Sequence, residues 1–103
     1  MKKIYNKLVR DCIPEIIESS GKYCEIEILN DDEYLKEIDK KLDEELAEYH
    51  KDQNLEELAD LLELIYTAAR ARGYSVEQLE SVRAKKAKER GAFNSRIFLK
   101  EVE

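Results

Sequence analysis

The chain has 103 residues, enough for one domain with one modest core. Its 43% hydrophobic and 41% charged content, with one proline and three glycines, favours amphipathic helices over a disordered chain. A net charge of −6 argues against a binder of nucleic-acid polymers. No apolar run approaches the ~20 residues that span a bilayer, and no signal segment follows the basic start, so we expect a cytoplasmic protein without membrane partners.

The first 30 residues predict a short helix followed by a short strand. Pro14 is typical of a first helical turn, the isoleucines that flank it supply an apolar side, and Gly21 follows the expected end. Residues 23–29 alternate between apolar and acidic side chains, which predicts a half-buried strand.

Two longer helices follow. Asn30 with Glu33 is a plausible capping pair for a helix that reaches about residue 49 or 50, with residues 51–53 as a polar connection. The next helix is predicted from about residue 55 to 72, with Gly73 just beyond its end. Apolar side chains lie nearly all round this third helix, so we expect it to be central and largely buried.

The last part of the chain predicts a fourth helix and a second short strand. Ser75 with Gln78 marks the helix start, and the helix is expected to run to about residue 89 or 90. The apolar segment 96–102 is compatible with a strand that pairs with 23–29. The predicted fold is therefore all-α, a compact four-helix bundle in one domain spanning 1–103, with an optional two-stranded β element.

Acidic and basic residues are concentrated in different parts of the chain. Residues 25–63 contain 16 acidic and 4 basic residues, a local net charge of −12. Residues 83–100 contain 7 basic and 1 acidic residue, a local net charge of +6. Such a division would suit a divalent metal and a phosphate bound side by side, or two solvated helix faces.

Two pairs of carboxylates carry the strongest chemical signal. Glu45 and Glu48 are three residues apart on the second helix, and Glu57 and Asp60 have the same spacing on the third. Each pair therefore projects from one helix face, and antiparallel helices could bring the pairs to a common ion. Oxygen ligands of this kind suit Mg²⁺, or Mn²⁺, over zinc or copper.

Each carboxylate also has a structural explanation that needs no metal. Glu57 could close a capping box with Asn54, and Glu44 and Glu48 could pair with nearby lysines on a solvated surface. Asp60, placed among leucines and an alanine, would need either a cation or a nearby Arg or Lys.

Basic residues could supply phosphate contacts. Lys86, Arg90 and Arg96 lie beside a glycine near the end of the chain, and Lys7 and Arg10 are weaker candidates for the same role. Any one of them, taken alone, is more often a solubilising surface residue.

The chain resembles the MazG-like, all-α NTP pyrophosphatases, which include phosphoribosyl-ATP pyrophosphohydrolases. The E-E-x-x-E signature of that superfamily appears at 44–48, and E-x-x-D at 57–60. The opening 5–17 and the segment 86–93 look like a short phosphoribosyl-ATP-pyrophosphohydrolase-like branch. Cys12 and Ala92 stand where that branch would have Lys and Gly, which weakens the substrate assignment more than the metal assignment.

The resemblance implies water attack on the α-phosphorus of a nucleoside triphosphate, giving the monophosphate and pyrophosphate. Glu45, Glu48, Glu57 and Asp60 would hold Mg²⁺, and Glu45 or Glu44 would orient or deprotonate the water. It also implies a homodimer or homotetramer. We expect a role in cleaning the nucleotide pool. The alternatives are hydrolysis of phosphoribosyl-ATP in histidine biosynthesis, nucleotide binding without hydrolysis, and a non-catalytic helical adaptor that binds proteins.

Overall fold

The structure is a computed structural model that describes residues 2–103, and these residues contain four α-helices. The helices are α1 (Ile13–Ser19), α2 (Asp31–Asp52), α3 (Leu55–Ala71) and α4 (Val76–Arg90). The all-α, four-helix prediction is confirmed. No helix in the described part of the chain is both long enough and apolar enough to cross a membrane.

The three longer helices begin at capping residues. The Asn30 side chain accepts a hydrogen bond from the backbone N–H of Glu33, and Asn54 accepts one from Glu57, each at 2.9 Å. Ser75 and Gln78 form a reciprocal capping box at the start of α4. These bonds satisfy backbone donors that have no partner within the helix, so the starts are determined by local sequence.

The connection between α2 and α3 is shorter than the sequence suggested. Residues 51 and 52 were expected in a polar connection, but α2 continues through Asp52, and Gln53 adopts a left-handed conformation with φ of 50°. Only Gln53 and Asn54 therefore separate the helices. A connection this short makes α2 and α3 antiparallel neighbours. These two helices make the principal packing contact, and α4 contacts α3.

The single chain buries little of its apolar surface. Ile38 of α2 is the core residue within 2–103, with 1% of its surface exposed. The radius of gyration is 18.1 Å, compared with ~13 Å for a compact domain of this length. Much of the apolar surface of the described chain is therefore exposed to solvent.

The prediction that α3 is largely buried is wrong for the single chain. Leu58 and Leu62 are each 46% exposed and Ile65 is 43% exposed, at spacings that put them on one helix face. Among the helices of residues 2–103, only α2 and α4 pack against α3, and this stripe stays accessible.

The optional β element does not form. Residues 23–29 and 96–102 contain no strand, and no backbone hydrogen bond joins the two segments in the described chain. Apolar and acidic side chains do alternate along residues 23–29, but a strand also needs a hydrogen-bonded neighbour. Ile28 and Phe98 are accordingly 87% and 85% exposed.

Candidate metal centre

Carboxylates of α2 and α3 meet where the two helices face one another. Oxygens of Glu45, Glu57 and Asp60 lie within 4.8 Å of one another, and so do oxygens of Glu48, Asp52 and Glu57. Glu45 thus lies near Asp60, and Glu48 near Glu57, as expected for antiparallel helices. We call these five residues the acidic cluster, which has Glu57 as the member common to both groups.

The other carboxylates of the acidic cluster repel the charge of the Glu57 carboxylate. Partial desolvation raises the pKa of its carboxyl above the ordinary 4.5, and the charges of Asp60, Glu45, Asp52 and Glu48 raise it further. The Glu57 side chain does not close a capping box. Its backbone N–H binds Asn54, while its carboxylate belongs to the cluster. A divalent cation at Glu57 would relieve this repulsion.

Asp60 has a counter-ion from a distant part of the chain. Arg10 Nη2 donates a hydrogen bond to Asp60 Oδ1, and the Asp60 side chain is 37% exposed. The sequence places Asp60 between leucines and an alanine, where an unpaired charge would be costly. In the structure Asp60 is half-buried and already paired, so its charge does not by itself require a metal.

Glu44 lies next to the cluster and is held by two lysines. Lys7 Nζ donates to Glu44 Oε1 at 2.9 Å, and Lys41 Nζ lies 3.4 Å from the same oxygen. The hydrogen bond from Lys7 lowers the pKa of the Glu44 carboxyl and outweighs partial desolvation, while Lys41 lowers it further. Glu44 therefore stays ionised, but its oxygens belong to neither carboxylate group of the cluster.

The predicted phosphate-binding residues fall into two sets. Lys7 and Arg10 contact carboxylates of the site directly. Lys86 and Arg90 lie exposed on α4, and Arg96 lies exposed beyond it. Within residues 2–103, no ion pair joins any of the latter three to the acidic cluster. The weaker sequence candidates are thus the ones that the single chain brings to the site.

Two residues near the site were not selected from the sequence. Asp52 had been assigned to a connection, yet it is helical and lies with Glu48 and Glu57. Asp52 lies four residues after Glu48, a spacing that places both side chains on one helix face and could have identified Asp52 from the sequence. Lys41 Nζ lies 3.6 Å from Glu45, and the side chains are only 19% and 14% exposed.

A shallow cleft of about 250 Å³ lies between residues 5–8 and α2, and Glu44, which precedes Glu45 of the acidic cluster, is part of its wall. Its walls carry lysines, glutamates and one aromatic ring, in residues Tyr5, Asn6, Lys7, Leu8, Glu37, Lys40, Lys41 and Glu44. The cationic side chains in this cleft offer ammonium groups to an anion close to the carboxylates.

Comparison with known proteins gives a partial match. No family model matches the chain, and no solved structure matches it. An uncharacterised protein of Mycolicibacterium smegmatis (strain ATCC 700084 / mc(2)155) is 57% identical over 42 residues. That alignment covers 41% of this chain and 43% of the relative, so it extends over less than half of either protein.

The donor set fits a hard divalent cation. All five members of the acidic cluster offer carboxylate oxygen, the ligand type that Mg²⁺ and Mn²⁺ bind best. Neither group of the cluster contains the histidine or cysteine that zinc sites commonly use. Because Glu57 belongs to both groups, it would be a ligand of an ion held by either one.

Proposed function

We propose that the protein is a Mg²⁺-dependent nucleoside triphosphate pyrophosphohydrolase of the MazG-like kind. The observation that carries this proposal is the meeting of Glu45, Glu57 and Asp60, from two helices, within 4.8 Å. Mn²⁺ would replace Mg²⁺ at such a site. The family assignment itself depends on the signature segments 44–48 and 57–60.

Different residues of the chain would bind the metal and the phosphates. Glu45, Glu57 and Asp60, with Glu48 and Asp52 beside them, would hold the metal. When bound, the metal would neutralise the triphosphate and stabilise charge that develops during transfer. Lys7 and Arg10 lie beside these carboxylates and would bind the phosphate tail.

A water molecule must be oriented toward the α-phosphorus and must lose a proton. Glu44 would orient this water as a hydrogen-bond acceptor, because its lowered pKa makes its carboxylate a weak base. Glu45 is the other candidate. Its carboxylate belongs to the acidic cluster and lies 3.6 Å from Lys41 Nζ. The products would be a nucleoside monophosphate and pyrophosphate. The proposed role is removal of unwanted nucleotides in the cytoplasm, with phosphoribosyl-ATP as the alternative substrate.

A second copy of the chain would complete the fold. The stripe formed by Leu58, Leu62 and Ile65 is apolar and about half exposed, which favours a homodimer or homotetramer. Lys86, Arg90 and Arg96 would then have the opportunity to reach the cluster of a partner. The same exposed stripe also suits an adaptor that binds another protein, which is the second candidate function.

Pyrophosphate release distinguishes these candidates. The substrates are normal and modified nucleoside triphosphates and phosphoribosyl-ATP, each tested with Mg²⁺ and with a chelator. Mg²⁺-dependent release supports the hydrolase, and the preferred substrate selects between pool cleaning and biosynthesis. Absence of release from every substrate would favour the adaptor.

A further inference from the structure

Two ion pairs join the irregular start of the chain to the candidate site. We call residues 2–12 the N-terminal segment. Lys7 binds Glu44 on α2 at 2.9 Å, across 37 positions of sequence, and Arg10 binds Asp60 on α3, across 50 positions. The segment therefore bridges both helices that form the acidic cluster.

Apolar packing holds this segment only weakly. Ile4 is 71% exposed, Tyr5 59% and Val9 42%, so their hydrophobic burial contributes little. The ion pairs are also partly solvated, with the Arg10 side chain 61% exposed. Contacts of this kind are weak and depend on the charge of their partners. The position of the segment should therefore respond to what the carboxylates bind.

The two ion pairs differ in their relation to the cluster. Asp60 belongs to the group that would ligate metal, whereas Glu44 lies outside both groups. A cation bound by Asp60 would compete with Arg10 for the same carboxylate. The pair of Lys7 and Glu44 would not face that competition.

We propose that Arg10 is an exchangeable internal counter-ion, which occupies Asp60 without metal and is released by metal to bind the triphosphate. Lys7 keeps its bond to Glu44 through one of its three N–H donors, so it tethers the segment beside the site during this exchange while another donor reaches the phosphate tail. This proposal rests on the proposed function, because it needs a metal and a polyphosphate at the cluster.

The tether gives the released side chain a short path to the substrate. Arg10 is three positions after Lys7, a span of at most ~10–11 Å in extended chain. The guanidinium therefore stays near the metal-binding carboxylates, where phosphate oxygens would lie, and its planar donors suit them. Linkage requires reciprocity: if Arg10 weakens metal binding, metal weakens the contact of Arg10 with Asp60.

The test is calorimetric titration of Mg²⁺ into the full chain and into R10Q. R83Q is the matched control, because Arg83 also binds a carboxylate and is 62% exposed, but its partner is Glu80 on α4. We expect R10Q to bind Mg²⁺ about two- to fivefold more tightly, the effect of removing an exposed ion pair. R83Q should match the unaltered protein.

A second readout separates exchange from a general charge effect. In the presence of saturating Mg²⁺, R10Q should show a higher KM for the best triphosphate although its metal affinity is improved. Backbone NMR should show the resonances of residues 7–12 shifting with Mg²⁺ in the unaltered protein and much less in R10Q. Unchanged or weaker Mg²⁺ binding by R10Q would overturn the proposal, as would equal tightening in R83Q.

The two proposals can fail separately. If Mg²⁺ binds and pyrophosphate is released, but R10Q binds metal as the unaltered protein does, only the exchange is refuted. If R10Q tightens Mg²⁺ binding but no substrate is hydrolysed, the competition for Asp60 stands and the hydrolase function is refuted. If neither protein binds Mg²⁺, both proposals are refuted.

Discussion

Arg10 and Asp60 form an ion pair that links the N-terminal segment to α3 across 50 positions of sequence. This contact gives Asp60 a counter-ion from within the chain and places a guanidinium beside the candidate metal ligands. It also offsets the charge that half-buried Asp60 adds to the neighbouring carboxylates of Glu45 and Glu57. The pair therefore bears on both the fold and the proposed chemistry.

Replacing Glu57 by Gln should make the metal-free protein more stable and remove its response to metal. The substitution eliminates the carboxylate whose pKa is raised by desolvation and by its acidic neighbours. We expect the Tm without divalent ions to rise, and the increase that Mg²⁺ gives the unaltered protein to be lost. E56Q is the control, since Glu56 is exposed and outside the cluster. A lower Tm for E57Q than for E56Q without metal would contradict this prediction.

The stability advantage of E57Q should also depend on pH. Because the folded-state pKa of this carboxyl is raised above 4.5, the unfolded state loses the proton at lower pH than the folded state does, and the protein loses stability as the pH rises through that window. The advantage of E57Q should therefore be full at neutral pH and shrink as the pH falls toward about 4. Thermal melts of both proteins across this range measure it, and a constant difference in Tm would count against the electrostatic explanation.

The pair of Lys7 and Glu44 should give the opposite pH response. The pKa of Glu44 is lowered by its hydrogen bond to Lys7, so its contribution to stability is present above 4.5. That contribution is lost as the pH falls through the lowered folded-state pKa. K7Q should therefore be less stable than the unaltered protein at neutral pH, and the two should converge in acid. Melting curves that stay equally separated at low pH would show that Lys7 acts in another way.

Asp52 provides a test of the shared-carboxylate arrangement. D52N should weaken Mg²⁺ binding less than E57Q, because Asp52 belongs to one group of carboxylates and Glu57 to both. A loss of about tenfold for D52N would be in the range seen when a supporting group of a metal site is altered. Calorimetry compares both with D43N, an exposed aspartate outside the cluster. Equal binding by D52N and D43N would remove Asp52 from the site.

A charge on the exposed stripe of α3 should disrupt self-association. Leu62 is 46% exposed and lies between Leu58 and Ile65 on the stripe. If a second copy covers it, L62D should elute as a smaller species in size-exclusion chromatography with light scattering. S81D adds the same charge to an exposed polar position on α4 and should leave the assembly intact. An unaltered protein that is already monomeric would refute the oligomer.

The helices were predictable because their signals are local. The side chains of Asn30, Asn54 and Ser75 each accept a hydrogen bond from the backbone N–H three residues on, and Gly73 adopts φ of 91° just after α3. The end of α2 was placed too early because polar residues suit both a helix terminus and a loop. The helix continues to Asp52 and ends at Gln53, which adopts a left-handed conformation. Glycine usually marks such a position, and the sequence has none here.

Features that depend on distant contacts were harder to predict. The i,i+3 spacing put Glu57 and Asp60 on one helix face, but nothing local pairs Asp60 with Arg10. The strand pattern at 23–29 indicated alternating side chains without providing a neighbouring strand. The burial expected for α3 likewise depends on what covers Leu58 and Leu62, which a single chain does not determine.

The most direct test of the central claim is pyrophosphate release from the nucleotide panel by the unaltered protein, D60N and the control D43N. We expect Mg²⁺-dependent release that a chelator abolishes, a loss of at least about 100-fold in D60N, and near-normal release by D43N. Circular dichroism should show that D60N remains helical. Full activity of D60N, or activity that persists in the chelator, would contradict a metal-dependent role for the acidic cluster.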